Sequence, residues 1–244
     1  MNMLLETMRA HTSVRSFKDE PIDSALRETI FEAAQHSSTS SHIQAYTVIR
    51  VQDKANREII KEAAGGQPWI SAAPEFFIFC ADLNRLSKLS DAEGLGTLDG
   101  LHEHSLAAVV DVALYAQSVL LAAESLGLGG VFIGGIRNNP DAVIKALALP
   151  ELVYPVFGMC LGWPKNVNDT KPRLPLSEIL YEDSYQTAKR DENIVKFNVM
   201  MDEHYKARDT QDDQNWNMKV SQALQTKKRV HMKESLNQKG FFKL

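Results

Sequence analysis

Nine residues near the start of the sequence, Arg9 to Phe17, concentrate side chains that bind anions. Within them His11, Ser13 and Arg15 are spaced two apart, so an extended backbone would aim all three the same way. A guanidinium matches two phosphate oxygens at once and a hydroxyl adds a neutral donor, which predicts a phosphate clamp at residues 11–15. The alternative is a helix C-terminus, where basic side chains complement the helix dipole. Other stretches of the sequence are needed to distinguish a phosphate clamp from a helix C-terminus.

Two further stretches carry donors of the same kind. A run of hydroxyl residues extends from Ser37 to Ser41, and such residues favour a loop because their side chains bond to the backbone. Lys171 and Arg173 flank a proline in an irregular stretch. Taken alone, the first is a flexible connector and the second a solvated surface. Taken with the clamp, they offer donors to a ribityl chain and positive charge for one phosphate dianion.

Two glycine-containing loops suit a flat ligand. Gln67, which follows Gly65 and Gly66, offers a donor and an acceptor to a planar heterocycle. Gly134 and Gly135 follow an apolar run, and the lack of a side chain there lets backbone N–H groups approach a ring closely.

The composition is that of a globular protein, with 244 residues, 44% hydrophobic and 24% charged, and a net charge of -4. The acidic balance argues against nucleic-acid binding, and no apolar run approaches the roughly 18–20 residues that span a bilayer. Met1 to Glu6 lacks the layout of a signal peptide, so a cytoplasmic protein is expected. The only cysteines, Cys80 and Cys160, lie in apolar runs and are expected to be buried thiols.

Strand-length apolar runs alternate with helical patterns, which predicts a layered α/β domain. Residues 101–126 form a helical pattern that is apolar on most sides, so this helix should be buried centrally or in an oligomer interface. Residues 84–100 are irregular and are a candidate surface excursion or lid. The predicted strands are 46–51, 76–80, 131–133 and 153–161, and the predicted helices include 21–35, 139–148 and one through 63 with Asp53 as its N-cap.

The last third of the sequence is polar and helical. Its two helical patterns, about 191–206 and 216–238, are joined by an acidic loop at 209–214. Because no clean linker precedes them, a single domain over residues 1–244 is predicted. The part from about residue 190 is expected to be a helical extension suited to wrap a partner subunit.

Several familiar signatures are missing. Gly127 and Gly129 precede a strand, and Phe132 stands where a dinucleotide fingerprint needs its third glycine. No Walker A sequence and no Gly-x-Ser-x-Gly elbow occurs. His102 and His104 have no second ligand cluster, so no metal site is predicted. Hydrolase and metalloenzyme functions therefore lose their usual support.

A series of short motifs, in a fixed order, carries a family resemblance. They are His11-x-Ser13-Val14-Arg15, Asp19-Glu20-Pro21, Ser38-x-Ser40-Ser41, Ile43-Gln44, Gly65-Gly66-Gln67, Ala122-Ala123-Glu124-Ser125-Leu126-Gly127-Leu128-Gly129-Gly130, Ile133-Gly134-Gly135-x-Arg137-Asn138, Leu161-Gly162-Trp163-Pro164 and Lys171-Pro172-Arg173-Leu174-Pro175. With these motifs the sequence resembles the oxygen-insensitive, NADPH-linked nitroreductases and the related P-type flavin reductases. The likeness runs from about residue 4 to the C-terminal helix.

The resemblance implies a homodimer of α+β subunits, each with a central mixed β-sheet flanked by helices and a C-terminal helical extension. It also implies FMN bound at the subunit interface, with NADPH or NADH as the electron donor. Arg208 matches an arginine that recognises NADPH phosphates, and no side chain is nominated as a catalytic acid or base. The residues implied to contact FMN, partly from the second subunit, are His11, Ser13, Arg15, Ser38, Ser40, Ser41, Gln67, Ile133, Gly134, Gly135, Lys171 and Arg173.

The sequence departs from the family pattern at two places. Thr12 stands where most relatives have arginine, which removes one cation from the clamp. The loop at 209–214 is acidic where relatives carry further arginines. Acidic side chains repel a 2′-phosphate at a cost of about 1 kcal/mol each at an exposed site, so a weaker preference for NADPH than the family norm is expected.

The sequence therefore predicts an FMN-dependent oxidoreductase that moves two electrons from NAD(P)H to nitroaromatics, quinones, azo compounds or free flavin by a ping-pong mechanism. The flavin carries the chemistry, and Lys171 is expected to stabilise charge on the reduced ring. Two alternatives remain. One is a flavin-binding sensor or carrier without turnover, and the other is an α/β protein that binds a different phosphorylated ligand.

Overall fold

The computed structural model describes residues 2–166, 168–188, 190–208, 215–226 and 229–244. Contacts within the chain divide it into two compact units. The first unit comprises Met1–Asn168 and Arg229–Leu244, and the second comprises Asp169–Lys228. The described strands all lie in the first unit.

The first unit is built on a four-stranded sheet. Its strands are β1 (Tyr46–Arg50), β2 (Glu75–Asp82), β3 (Gly129–Ile133) and β4 (Val153–Gly162). Their spatial order is β1-β2-β4-β3, and each of the three strand pairs is antiparallel. Sequence neighbours β3 and β4 therefore pair directly, while β4 also separates β3 from β2.

Helices surround this sheet in the first unit and make up the second. Those of the first unit are α1 (Met3–Ala10), α2 (Ser24–Ala34), α3 (Lys54–Ala63), α4 (Trp69–Ala72), α5 (Asn84–Ala92), α6 (His102–Ser125), α7 (Pro140–Ala146) and, near the end of the chain, α10 (Met232–Gln238). The second unit contains α8 (Arg190–Ala207) and α9 (Trp216–Thr226).

Strand β2 shows why the sheet has a hydrophobic layer on each face. Successive side chains of a strand point to opposite faces, so neighbouring residues of β2 enter different cores. Phe76 and Ile78 pack in the cluster that includes residues of α3 and α7. Phe77 and Phe79 pack in the cluster that includes residues of α2 and α6. Every residue of β2 is buried as a result.

Helix α6 is the central helix of the first unit, in contact with α1, α2, β1, β2 and β3. Its inward side chains, such as Val112, Ala116 and Val119, are completely buried. By length and composition it is the one helix among the described residues that is apolar enough to cross a membrane, although in this fold it packs against the sheet as a core helix. An outward stripe of Leu106, Val110 and Leu114 stays exposed.

The four predicted strands are present, each within two residues of its predicted ends, and the α+β architecture with a helical C-terminal part is confirmed. The prediction of a mixed sheet is wrong for the described strands, because all their pairs are antiparallel. Strands alternate with helices along the sequence, but that alternation does not fix strand direction: β1 and β2, with helices between them, lie antiparallel. The prediction of a single domain over 1–244 stays a prediction beside the two compact units.

Two helical predictions need correction. Residues 84–92 form α5 within the stretch expected to be irregular, where Gly94, Gly96 and Gly100, all with positive φ, follow the helix and hide its pattern. The predicted helix at 216–238 consists of α9 and the separate α10, which belong to different units. Residues 209–214, the predicted acidic loop, lie outside the described residues, as do 227 and 228.

Candidate functional site

The segment that carries the phosphate clamp leaves α1 and runs beside β3. Arg9 lies in the last turn of α1 and His11 is its C-cap, so the helix-end explanation holds for these two residues. Beyond them the segment is not helical. The backbone N–H of Val14 donates to Gly130 O at 2.9 Å, and the Val14 side chain is buried in the core. The sheet therefore fixes the segment that carries Ser13 and Arg15.

His11 contacts a carboxylate that sequence reasoning missed. Its Nδ1 lies 2.6 Å from Glu124 Oε1, and the side chains of His11 and Glu124 are 30% and 11% exposed. Burial raises the pKa of Glu124, and the hydrogen bond with His11 opposes that rise. Glu124 carries the only charge between Val112 and Phe132 in the sequence, a signal that would have singled it out.

Arg15 is available for an anion. Its guanidinium carbon lies 5.6 Å from the ring centroid of Trp69, within the range of a cation–π contact. No described carboxylate lies within ion-pair distance of Arg15. The Trp69 indole N–H is buried without a hydrogen-bond partner among the described residues. Trp69 begins α4, two residues after Gln67, and no pattern in the sequence singled it out as the neighbour of Arg15.

The hydroxyl run forms the first part of a loop, residues 37–45, called here the hydroxyl loop. The backbone N–H groups of Ser40 and Ala45 donate to Asp111 Oδ1 and Oδ2 at 2.8 and 3.1 Å. Asp111 belongs to α6 and is completely buried. Ser38, Ser40 and Ser41 are exposed, which leaves their hydroxyls open to a ligand.

The backbone of this loop is unusual. Ser41, His42 and Gln44 have φ values of 46°, 60° and 50°, the left-handed region that costs a residue with a side chain about 1–2 kcal/mol. Taken alone, the run of hydroxyl residues suggested a flexible connector. Instead, the hydroxyl loop has a specific backbone conformation that is held by a buried carboxylate. Asp111 was missed, although it is the only charged residue between Ser105 and Ala123, the same kind of signal that Glu124 gives.

The predicted ring-binding residues come together between the end of α3 and the end of β3. The Gln67 side chain donates from Nε2 to Ala64 O at 2.9 Å. A side chain on Gly135 would collide with Gln67 Nε2 and lie 2.6 Å from Ala64 O. The backbone of Gly135 therefore packs directly against the Gln67 side chain. Ile133 ends β3 and is buried, and Gly134 follows it beside the Arg137 guanidinium.

The remaining predicted residues belong to the second unit. Lys171 and Arg173 are both exposed, and Arg173 Nη1 donates to Lys171 O at 2.7 Å. Arg208 is also exposed and follows α8, where its N–H donates to Tyr205 O at 3.2 Å.

The side chains of the first unit fit the chemistry of FMN. Arg15 offers a guanidinium that no described carboxylate neutralises, which suits a phosphate dianion. Gly135 has no side chain, so Gln67 and the backbone of Ala64 pack directly against it and bring the amide of Gln67 next to the end of β3. Among the described residues no cluster of histidine, cysteine or acidic side chains has the grouping of a metal site.

Comparison with known proteins gives matches over nearly the whole chain. The model of the nitroreductase family matches residues 8–163, and that of the nitroreductase family C-terminal domain matches residues 171–243. The chain is 40% identical over 243 residues to the oxygen-insensitive NADPH nitroreductase of Salmonella typhimurium, and the alignment covers 99% of each protein. It is 34% identical to the FMN reductase (NADPH) of Bacillus subtilis over 100% of each.

Solved structures agree with these matches. Nitroreductase A from Vibrio parahaemolyticus superposes with a TM-score of 0.92 at 36% identity, over 100% of both chains. The NADPH:FMN oxidoreductase from Vibrio harveyi, solved in complex with NAD⁺, gives a TM-score of 0.90 at 36% identity, again over 100% of both chains.

Proposed function

Because the chain belongs to the nitroreductase family, we propose that it is an FMN-dependent oxidoreductase that moves two electrons from NAD(P)H to nitroaromatics, quinones or free flavin. The resemblance in the sequence motifs is thereby confirmed. Bound FMN supplies the redox chemistry, and the protein supplies binding, orientation and charge. The observation that carries the proposal is Arg15, which lies against Trp69 and is paired with no described carboxylate, in a chain that matches these reductases over nearly its whole length.

The described residues suggest a division of labour. Arg15 gives the phosphate a forked donor, and Ser13 and His11 add further donors from the same segment. Gln67 and the backbone at Ile133–Gly135 face the ring. Lys171 and Arg173 would add positive charge, and Arg208 would bind the donor's phosphate. NADPH and NADH both remain donors in this proposal, and the weaker NADPH preference stays a prediction.

The geometry of α6 supports a site shared between two copies of the chain. Asp111 holds the hydroxyl loop and Glu124 holds His11 of the clamp. These positions are separated by about 20 Å along the helix and by roughly 140° around it, from the rise and twist of an α-helix. We therefore infer that the clamp and the hydroxyl loop of one chain serve different FMN molecules, and that the second copy completes each site.

An exposed apolar surface favours the same homodimer. Leu106, Val110 and Leu114 recur every fourth residue on α6 and are 54%, 46% and 44% exposed. The apolar side chains of α1 are also exposed, with Met3 at 74% and Met8 at 55%. Apolar stripes of this kind mark interaction surfaces. A cytoplasmic location is part of the proposal, supported by the free, buried thiols of Cys80 and Cys160.

Anaerobic spectroscopy tests the function. Purified protein incubated with FMN and freed of excess should be yellow, lose its visible flavin band on adding NADPH or NADH, and regain it on adding a quinone. A yellow protein that neither donor bleaches would be the sensor or carrier. A protein that retains no FMN would contradict the proposal.

A further inference from the structure

A carboxylate touches the phosphate clamp, where it would be expected to repel the ligand. Glu124 lies in the last turn of α6, and its Oε1 is 2.6 Å from Nδ1 of His11. Its side chain is only 11% exposed, and burial raises its pKa. Within the described part of the chain, His11 is its only side-chain partner. A charge this close to an anion site needs a function or a neutralising partner.

The contact determines how the imidazole can be used. A histidine bonded through Nδ1 leaves Nε2, on the far side of the ring, for a ligand. The backbone near His11 is held by the bond from Val14 N to Gly130 O, but the contact with Glu124 is the only hydrogen bond of its side chain among the described residues. Without Glu124, no hydrogen bond from a described residue would fix the orientation of the imidazole ring.

Among the described residues that line the adjacent cavity there is one carboxylate besides Glu124. A cavity of about 390 Å³ beside the pair is lined from α1 by Glu6 and Thr7, and from the other side by Glu124 and Gly127. Glu6 is exposed, and no hydrogen bond joins its side chain to that of His11. It provides a matched carboxylate that faces the same cavity without holding the ring.

We propose that Glu124 is a positioning residue of the clamp, which holds His11 by Nδ1 so that Nε2 is turned toward the flavin phosphate. The phosphate charge itself falls to Arg15. This inference rests on the proposed function, since it concerns FMN binding.

The test compares three substitutions in the full-length protein. Glu124→Ala removes the acceptor, Glu124→Gln keeps a carbonyl that accepts from Nδ1–H, and Glu6→Gln is the control. FMN dissociation constants come from flavin fluorescence, and ¹⁵N NMR of the His11 ring, without FMN, reports which nitrogen is protonated. We expect Glu124→Ala to bind FMN about tenfold more weakly, Glu124→Gln to stay within about threefold of wild type, and Glu6→Gln to be unchanged.

The ring signals separate this inference from the proposed function. Wild type and Glu124→Gln should show Nδ1 protonated, and Glu124→Ala should show a mixture of tautomers. If Glu124→Ala matches wild type in both measurements, or if Glu124→Gln is as weak as Glu124→Ala, the positioning role is overturned while FMN binding stands. If wild type binds no FMN but the tautomer changes as expected, the proposed function fails and the role of Glu124 in holding the ring remains.

If Glu124→Ala does not fold, Glu124→Asp, whose side chain is one methylene shorter, replaces it with the same expectations.

Discussion

The phosphate clamp and the hydroxyl loop are both held by carboxylates of α6, but the two carboxylates act on different parts of the chain. Glu124 binds a side chain, His11, that is 30% exposed. Asp111 is completely buried and accepts from two backbone N–H groups, those of Ser40 and Ala45. The clamp therefore depends on which side chains it contains, whereas the hydroxyl loop depends on a backbone shape.

This difference separates binding from folding. The hydroxyl loop contains three residues in the left-handed region, each costing about 1–2 kcal/mol, and the buried bonds to Asp111 offset that strain. The clamp segment has no such residue. Changes in the loop should consequently appear mainly in stability, and changes in the clamp mainly in FMN affinity.

The largest expected effect is at Asp111. Replacing Asp111 by alanine leaves the buried N–H of Ala45 and the part-buried N–H of Ser40 without this acceptor. At about 1–3 kcal/mol for the buried group and less for the other, the free energy of unfolding should fall by roughly 2–4 kcal/mol. Urea denaturation measures it. The matched control is Asp53→Ala, which removes the exposed N-cap of α3 and should cost only about 1 kcal/mol. Equal losses in the two variants would mean that Asp111 does not hold the loop.

Arg15 should show the opposite behaviour. Arg15→Ala removes a forked donor to the phosphate, so FMN should bind about 10- to 150-fold more weakly, corresponding to about 1.5–3 kcal/mol, with an unchanged free energy of unfolding. Fluorescence titration of the flavin gives the affinity. Lys18→Ala, at a nearby exposed cation, is the control and should leave it unchanged. If Arg15→Ala binds FMN like wild type, the clamp is misassigned.

A smaller effect tests the pH dependence of the clamp carboxylate. Burial raises the pKa of Glu124, so the folded state binds its proton more tightly than the unfolded chain does. The stability this contributes is present in acid and is lost as pH rises through the folded-state pKa. As the pH rises from about 4 through the folded-state pKa, Glu124→Gln should therefore become progressively more stable relative to wild type. If Glu124→Gln instead loses stability relative to wild type as the pH rises, the hydrogen bond with His11 lowers the pKa of Glu124 more than burial raises it.

The smallest change concerns the strain in the hydroxyl loop. His42 has φ 60°, and glycine adopts this conformation without steric cost, so His42→Gly should raise the free energy of unfolding by about 0.5–1 kcal/mol. His36→Gly, just before the loop at a residue without positive φ, should lower it slightly. Differential scanning calorimetry compares the two. Destabilisation by His42→Gly equal to that by His36→Gly would argue against stored strain.

The sequence was informative where a local pattern determines the structure. Phe76–Cys80 and Val153–Leu161 are apolar over strand length, and Asp53 has the position of an N-cap, so these elements could be predicted. The spacing of His11, Ser13 and Arg15 predicts the clamp, and their role in binding phosphate stays a prediction. The direction of the strands could not be read in this way, because it depends on how distant segments pair.

The carboxylates that hold the site escaped prediction for the same reason. Glu124 is 113 residues from His11, and Asp111 is 71 residues from Ser40, so no local spacing links the partners. Both lie in a helix whose apolar pattern predicted only burial. Trp69 was hidden in a loop signalled by Gly65 and Gly66 and forms part of α4.

The shared site is the central claim, and mixed dimers test it most directly. One chain carries Arg15→Ala with an intact hydroxyl loop, and the other carries Asp111→Asn with an intact clamp. If each FMN is held by the clamp of one chain and the loop of its partner, one site of the mixed dimer is doubly impaired and the other is wild type. FMN titration of the purified mixed dimer should then show half of the sites with wild-type affinity. No site of wild-type affinity would mean that each chain holds FMN with its own clamp and loop, and would contradict the account.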